Sequence, residues 1–333
     1  MDKLIYIDDT LPGITRKGAG RGFAYYDPHG ELITDPKERR RLNAIALPPA
    51  YVDAWFCPAP NGHILATGYD ARGRKQYRYH PQFRLERESR KFDDCLQFGR
   101  LLPLLRKRVE EDLARGHNGL DGMIASIVRL LDSSAIRVGN ETYTRDNETF
   151  GATTLRRSHV RVSGSVVRLQ FRGKGGKDRD VQFNDAVLAK IVRRLQDLPG
   201  QRLFEYQYGG GAGRTINSTE VNAYLRETMG CEATAKYFRT WHGSVQAFRT
   251  LAFANAEVTI KALSEQVATR LGNTPAVTRR SYIHPAVIDI VPRQQQWRSD
   301  LRIPRRTKWL AGEERGLLNL LEESPAAEEL LVA

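Results

Sequence analysis

Cysteine is scarce in this chain of 333 residues. Cys57, Cys95 and Cys231 are too few and too scattered for a disulfide framework or a zinc site, and they read as thiols of a reducing compartment. No apolar run is long enough to span a bilayer, and no charged, apolar, small-residue leader follows Met1, so a soluble cytoplasmic protein without a membrane partner is expected. H-E-x-x-H is absent, as is any carboxylate cluster of the sort that holds catalytic metals, so no metal and no cofactor is expected. The run Gly209 to Gly213 imitates a phosphate loop. Arg214-Thr215 stands where that loop needs Lys-Ser/Thr, and the run reads as a surface loop. Negative charge is also short: 39 acidic residues face 52 lysines and arginines, a formal charge of +13, which points to a polyanionic partner.

The length allows two domains. Residues 1 to about 85 read as short strands and turns, with strands at Leu4 to Ile7, Phe23 to Tyr26 and His63 to Ala66. Asp35 is placed to cap a helix that starts at Pro36 and stops before Pro48. From Gly68 to His80 cations, among them Arg74 and Lys75, alternate with Tyr77 and Tyr79, which puts both rings on one face of a strand. Cations suit phosphates and rings suit sugars or bases, but the run equally fits an amphipathic edge strand facing water.

Dense charge with spaced Leu and Phe marks helices over 84–116, so the division into domains is set at 1–88, β-rich, and 89–333, mainly helical. Met123, Ile124, Ile127, Leu130 and Leu131 recur at the helical period and mark a core helix, whose continuation carries Arg137 into apolar surroundings. Residues 160–183 switch to a period of two and read as a three-stranded meander, with Lys174 at a glycine-rich tip, either solvated or able to swing onto a phosphate. Asn217 and Glu220 form a capping box for the next helix. Arg239 lies between aromatics ahead of another helix; for it, as for Arg137, a salt bridge is the ordinary alternative. Beyond Pro304 a basic stretch gives way to glutamates beside leucines, read as a peripheral helix with a frayed end.

Tyr282 sits in the stretch Leu271 to Pro285, after a helix that Gly272 is suited to end, with Arg279 and Arg280 before it and His284 after it, where an anion could be drawn in, although a tyrosine near arginines is by itself more often a surface or interface residue than a nucleophile. One phenol, two arginines in apolar settings, a mobile lysine and the Asn273 amide form a set able to move a phosphoryl group by charge stabilisation alone. A phenol near pKa 10 is ionised only about once in a thousand molecules at neutral pH, so neighbouring guanidiniums are needed to favour the phenolate.

These residues carry a resemblance. Ile136-Arg137-Val138-Gly139, Phe171-Arg-Gly-Lys174, Phe238-Arg239-Thr240, Leu271-Gly-Asn273-Thr-Pro275 and Ser281-Tyr282 occur in that order, behind PPAYVDAWFCP and GHILATGYDARGRKQYRYH over residues 48–80. The ordered set resembles the type IB DNA topoisomerases, in the small branch found in poxviruses and bacteria. The resemblance implies an α+β fold: a small β-rich N-terminal domain, then a larger, mainly α-helical catalytic domain with a three-stranded antiparallel sheet, like that of tyrosine recombinases. It implies Tyr282 as nucleophile, Arg137 and Arg239 on the non-bridging oxygens, Lys174 as general acid, and Asn273, where many relatives carry histidine, as a hydrogen-bond donor only. It further implies that Tyr77, Tyr79 and Tyr143 contact double-stranded DNA, and that a monomer closes on the duplex as a clamp without ATP or metal. Tyr237 departs from the acidic residue expected there, which puts the local support of Arg239 in question. A tyrosine recombinase and a non-catalytic DNA binder are the rival readings; Lys236, where recombinases usually carry histidine, argues against the first.

Overall fold

A computed structural model describes residues 3–20, 22–116, 119–197, 200–206 and 213–332. Of the loop expected at Gly209 to Gly213, all but Gly213 lies outside the described residues. The chain divides into two compact units, Met1–Ser89 and Arg90–Ala333.

In the first unit, β1 (Ile14–Ala19), β2 (Gly22–Tyr26), β3 (Val52–Phe56), β4 (Ile64–Tyr69) and β5 (Lys75–Tyr79) form an antiparallel sheet in the order β2-β1-β3-β4-β5. Helix α1 (Pro36–Ala44) begins as its sequence dictates: the Asp35 carboxylate accepts from the Lys37 and Glu38 amides, and Pro36 opens the first turn. Its Leu42 closes a small core with Ile14, Tyr25, Leu47, Ala54, Phe56 and Ala66. Two strands, β1 and β3, escape sequence reading because β1 sets Arg16 and Lys17 ahead of Gly18 and β3 holds an aspartate, Asp53, at a positive φ of 49°. Leu4 to Ile7, expected as a strand, makes only a single bridge, Ile5 to Gly62.

The division between the units falls inside α2 (Pro81–Arg115). From Cys95 onward α2 buries Phe98, Leu102, Leu105 and Val109 in the second core, which also takes Met123, Ile127, Leu130 and Leu131 of α3 (Leu120–Ser134). After α4 (Glu141–Asn147) comes the expected three-stranded antiparallel meander: β6 (Val160–Ser163), β7 (Val166–Arg172) and β8 (Asp178–Asn184), in the order β6-β7-β8. Its alternation sends Val167, Leu169 and Phe171 inward, and α5 (Ala186–Gln196) packs on the sheet. The short pair β9 (Glu205–Tyr206) and β10 (Arg214–Thr215) precedes α6 (Ser218–Met229), which starts at the Asn217–Glu220 capping box. Helices α7 (Lys236–Ala252), α8 (Ile260–Leu271), α9 (Pro275–Tyr282), α10 (Pro285–Asp289), α11 (Gln294–Asp300), α12 (Gly312–Glu323) and α13 (Ala327–Val332) complete the chain. No helix among the described residues is long and apolar enough to cross a membrane.

The first helix beyond Pro304, α12, is not peripheral as expected. Leu317, Leu318 and Leu321 of α12 belong to the core, and Glu314 is buried against Arg106, with Nη2–Oε1 at 2.7 Å, and beneath Trp241, whose Nε1 donates at 3.1 Å. Arg106 also grips Asp132 at 2.7 Å, and Asp132 holds His242 at 2.9 Å. The burial of Glu314 is not legible in the sequence, because its cation lies 208 positions away. Burial opposes ionisation of Glu314 and Asp132, yet Arg106 outweighs it and holds both carboxyls below their ordinary range. Their contribution to stability is therefore present above that range and lost as pH falls through the depressed values. Glu314→Ala leaves Arg106 with Asp132 as its one carboxylate among the described residues and is expected to lower unfolding free energy by about 3 kcal/mol, measured by urea denaturation; a loss well below 1 kcal/mol would show the network to be dispensable.

Candidate active site

The apolar face of α7, with Phe238, Trp241, Val245 and Phe248 in the core, carries Arg239 inward with it, and only 2% of this arginine remains exposed. A buried guanidinium must be met by acceptors. Here the acceptors are helix ends: Nη1 donates to the Ala135 carbonyl at 2.6 Å, just past α3, and Nη2 to the Leu271 carbonyl at 2.9 Å, the last residue of α8. Free carbonyls at helix C-termini suit a cation through the helix dipole. Nε has no hydrogen-bond partner among the described residues. Burial first, and then the charge of Arg137, lowers the arginine to about 10, so it stays cationic at neutral pH.

Arg137 follows the left-handed turn at Ala135 (φ 53°) that ends α3. Its own carbonyl accepts from Ala152 N at 2.8 Å, and the Val138 carbonyl accepts from Thr153 N at 2.7 Å, which pins the segment to residues 151–154. Gly139 has to be glycine there: φ is 101°, and a Cβ would stand 2.8 Å from Thr153 Oγ1. So fixed, Arg137 donates through Nη2 to Asn273 Oδ1. Neither Arg137 nor Arg239 is paired with a carboxylate among the described residues, so the ordinary salt-bridge alternative fails at both positions.

Asn273 reaches the site because Gly272 ends α8 in the left-handed conformation (φ 65°), which turns the chain into α9; Thr274 then caps α9 and Pro275 opens it. The amide nitrogen Nδ2 is buried with no partner among the described residues. Tyr282 closes α9, and its backbone is seated on small residues of α7: its carbonyl lies against Gly243 and accepts from Ser244 Oγ at 3.4 Å, while Ser244 Oγ accepts from His284 N at 2.9 Å. Gly243 and Ser244 were not singled out from sequence, since small residues on a buried helix face carry no chemical signature. The Arg239 guanidinium stands 5.0 Å from the centroid of the Tyr282 ring. Burial raises the phenol pKa, but Arg239, by charge and hydrogen bonding, together with Arg137 and Lys236, outweighs burial and leaves it below the ordinary tyrosine value.

Tyr282, Arg239, Arg137 and Asn273, far apart in sequence, thus form one cluster. Lys174 stands outside it, exposed in the single tight turn Lys174–Gly176 that joins β7 to β8. His284, read as part of the cationic surroundings, is instead 4% exposed, pushed down by burial to about 4, and spent in capping α10 through Nδ1. Tyr237 does not touch Arg239; its hydroxyl donates to Asp94 at 2.6 Å and its ring stacks on Phe98 at 5.8 Å. Arg239 is supported by the two carbonyls instead.

In the first unit Tyr77 and Tyr79 share one face of β5 as expected, stacked at 5.7 Å and 8°. Arg74 is tied to Asp70 at 2.7 Å and Lys75 to Asp9 at 2.7 Å, pairings that the basic run did not reveal. Tyr143 is exposed on α4.

Residues 80–296 match the family model of the eukaryotic DNA topoisomerase I catalytic core, and residues 22–70 match that of the bacterial DNA topoisomerase IB N-terminal domain. The chain is 30% identical over 289 residues to DNA topoisomerase 1B of Acanthamoeba polyphaga mimivirus, covering 82% of this chain and 85% of the relative. It is 22% identical over 231 residues to DNA topoisomerase 1B of vaccinia virus (strain Copenhagen), covering 68% and 72%. A Mycosarcoma maydis DNA topoisomerase 1 is 24% identical over 216 residues, 60% of this chain and 20% of that protein.

Proposed function

The chain belongs to the type IB DNA topoisomerases, and from this membership we propose that it relaxes supercoiled duplex by transient cleavage of one strand at Tyr282. Tyr282 Oη attacks a backbone phosphorus and forms a 3′-phosphotyrosyl bond, and the bond to the 5′-oxygen breaks. Lys174 delivers a proton to that oxygen, which leaves as a 5′-hydroxyl, a role worth roughly two to four orders of magnitude in rate. The freed strand rotates, and the hydroxyl then attacks the phosphotyrosine to restore the phosphodiester. The energy of the broken bond is kept in the phosphotyrosine, so the cycle needs neither ATP nor metal.

The observation that carries this reading is the pair of buried donors, Arg239 Nε and Asn273 Nδ2, without partners among the described residues, in a cluster with a phenol and two guanidiniums that meet no carboxylate among those residues. Unpaired buried donors cost free energy unless a ligand satisfies them, and the ligand they fit is an anion with several acceptor oxygens. Each preorganised donor to a developing oxyanion is worth about 3 kcal/mol in the transition state. Asn273 holds Arg137 through Oδ1 and offers Nδ2 to a phosphate oxygen, so the amide stabilises charge without supplying a proton. Tyr77, Tyr79, Tyr143, Arg74 and Lys75 are assigned to the duplex, with the two units of one monomer closing on it as a clamp, and the cellular substrate is cytoplasmic, nucleoid DNA.

The test is relaxation of supercoiled plasmid by purified protein in excess EDTA without ATP. Stepwise relaxation is expected. Inactivity in EDTA that magnesium restores would overturn the metal-free mechanism, and relaxation confined to plasmids carrying one defined partner site would favour a recombinase.

A further inference from the structure

Arg179, on β8, has no place in the reaction as described, yet it touches the turns that carry Lys174 and Asn273. Its Nη2 donates to the Arg270 carbonyl at 2.9 Å, near the end of α8. Its guanidinium lies directly on Gly272, so that any side chain there would collide with Nη1, and Gly272 immediately precedes Asn273. At the other end, the aliphatic stem covers Gly173, where an added Cβ would come within 2.9 Å of Cγ, and Gly173 immediately precedes Lys174. Arg179 pairs with Phe171 in the β7–β8 ladder, so its stem is anchored in the sheet at the base of that turn.

We propose that Arg179 is a positioning residue that fastens the Lys174 turn to the Asn273 turn and thereby holds the general acid in register with the phosphate cluster. The inference rests on the assignment of Lys174 as the acid. Glycine at both 173 and 272 follows from it, since the side chain occupies the space that a Cβ would need at each. No carboxylate pairs with Arg179 among the described residues; burial and then the charge of Arg137 keep its guanidinium below the ordinary arginine value. It is therefore the third guanidinium of one electropositive region, and the only protein acceptor that fixes it is a helix-end carbonyl among the described residues. Attraction to acid residues does not explain its place; packing against the two turns does.

The experiment is single-turnover cleavage of a duplex oligonucleotide with either oxygen or sulfur at the 5′ bridging position of the scissile phosphate. A sulfur leaving group needs no proton, so it rescues any variant whose defect lies in the acid step. Arg179→Ala is expected to cleave the ordinary substrate about 100-fold more slowly, the scale of a misplacement of roughly 1 Å, and to cleave the sulfur substrate at nearly the wild-type rate. Adding Arg179→Ala to Lys174→Ala is expected to slow cleavage no further than Lys174→Ala alone. Equal slowing of Arg179→Ala on both substrates, or an unchanged rate on the ordinary one, would overturn the inference. Arg179→Lys keeps the stem over Gly173 and replaces the alanine variant in the same comparison if thermal unfolding shows that variant to be misfolded. Absence of sulfur rescue in Lys174→Ala would instead remove Lys174 from the acid role, an outcome separate from rescue of Lys174→Ala without rescue of Arg179→Ala.

Discussion

Tyr282→Phe yields no covalent protein–DNA adduct in detergent-quenched reactions and no plasmid relaxation, a fall on the order of 10⁵-fold or more, as expected when a sole nucleophile is deleted. The substitution removes one oxygen and leaves the ring. That ring still lies beneath the Arg239 guanidinium, and its backbone still rests on Gly243 and Ser244, so the fold and the binding of duplex are expected to persist. The checks are adduct formation on labelled duplex beside a binding isotherm. Residual relaxation by the purified variant would sink the assignment of Tyr282, because no other group in the cluster is a nucleophile: the rest are two guanidiniums and an amide.

Arg239→Ala carries the second largest expected effect, a loss of about 10³-fold in the rate of cleavage, and it comes with a signature in pH. The Tyr282 phenol is held below its ordinary value mainly by Arg239 acting against burial. With that cation gone, burial prevails over the weaker fields of Arg137 and Lys236, so the phenol pKa rises and the rising limb of the pH–rate profile moves to higher pH. Arg239→Lys keeps a charge, but its donors all sit on one nitrogen and lack the planar fork that spans the Ala135 and Leu271 carbonyls and a phosphate oxygen together, so it recovers the profile better than the rate. Single-turnover cleavage across pH, with thermal unfolding alongside, separates this role from a structural one. A rate loss with an unmoved profile would mean that Arg239 does not tune the nucleophile.

Local rules made much of the architecture legible. The Asp35 cap, the Asn217–Glu220 capping box, the inward alternation of β7 and the stacking of Tyr77 on Tyr79 depend on neighbours within a few residues or on a fixed period, which a linear sequence displays directly. The candidate residue types stand out for a related reason: the phosphoryl transfer proposed for them calls for a narrow set of groups, and five short segments hold that set in a fixed order. The strand β1, with Arg16, Lys17 and Gly18 in its middle, and the aspartate-bearing β3 were not legible, because sheet pairing supplied the order that their composition does not advertise.

Pairing over long sequence separations belongs to the tertiary structure. From sequence, α12 reads as a peripheral helix and a salt bridge stays open as the ordinary alternative for the two arginines; the fold buries Glu314 on Arg106 and gives Arg239 two helix-end carbonyls in place of a carboxylate. Arg179 is of the same kind, because its meaning lies in the contact between β8 and Gly272, 93 positions on, if the two numbers are subtracted. By itself the sequence determined which chemical groups exist and which local segments present them. Whether each charge is neutralised or left free for a ligand was decided only when the chain closed, because an electrostatic field depends on distance in space and not on distance along the chain.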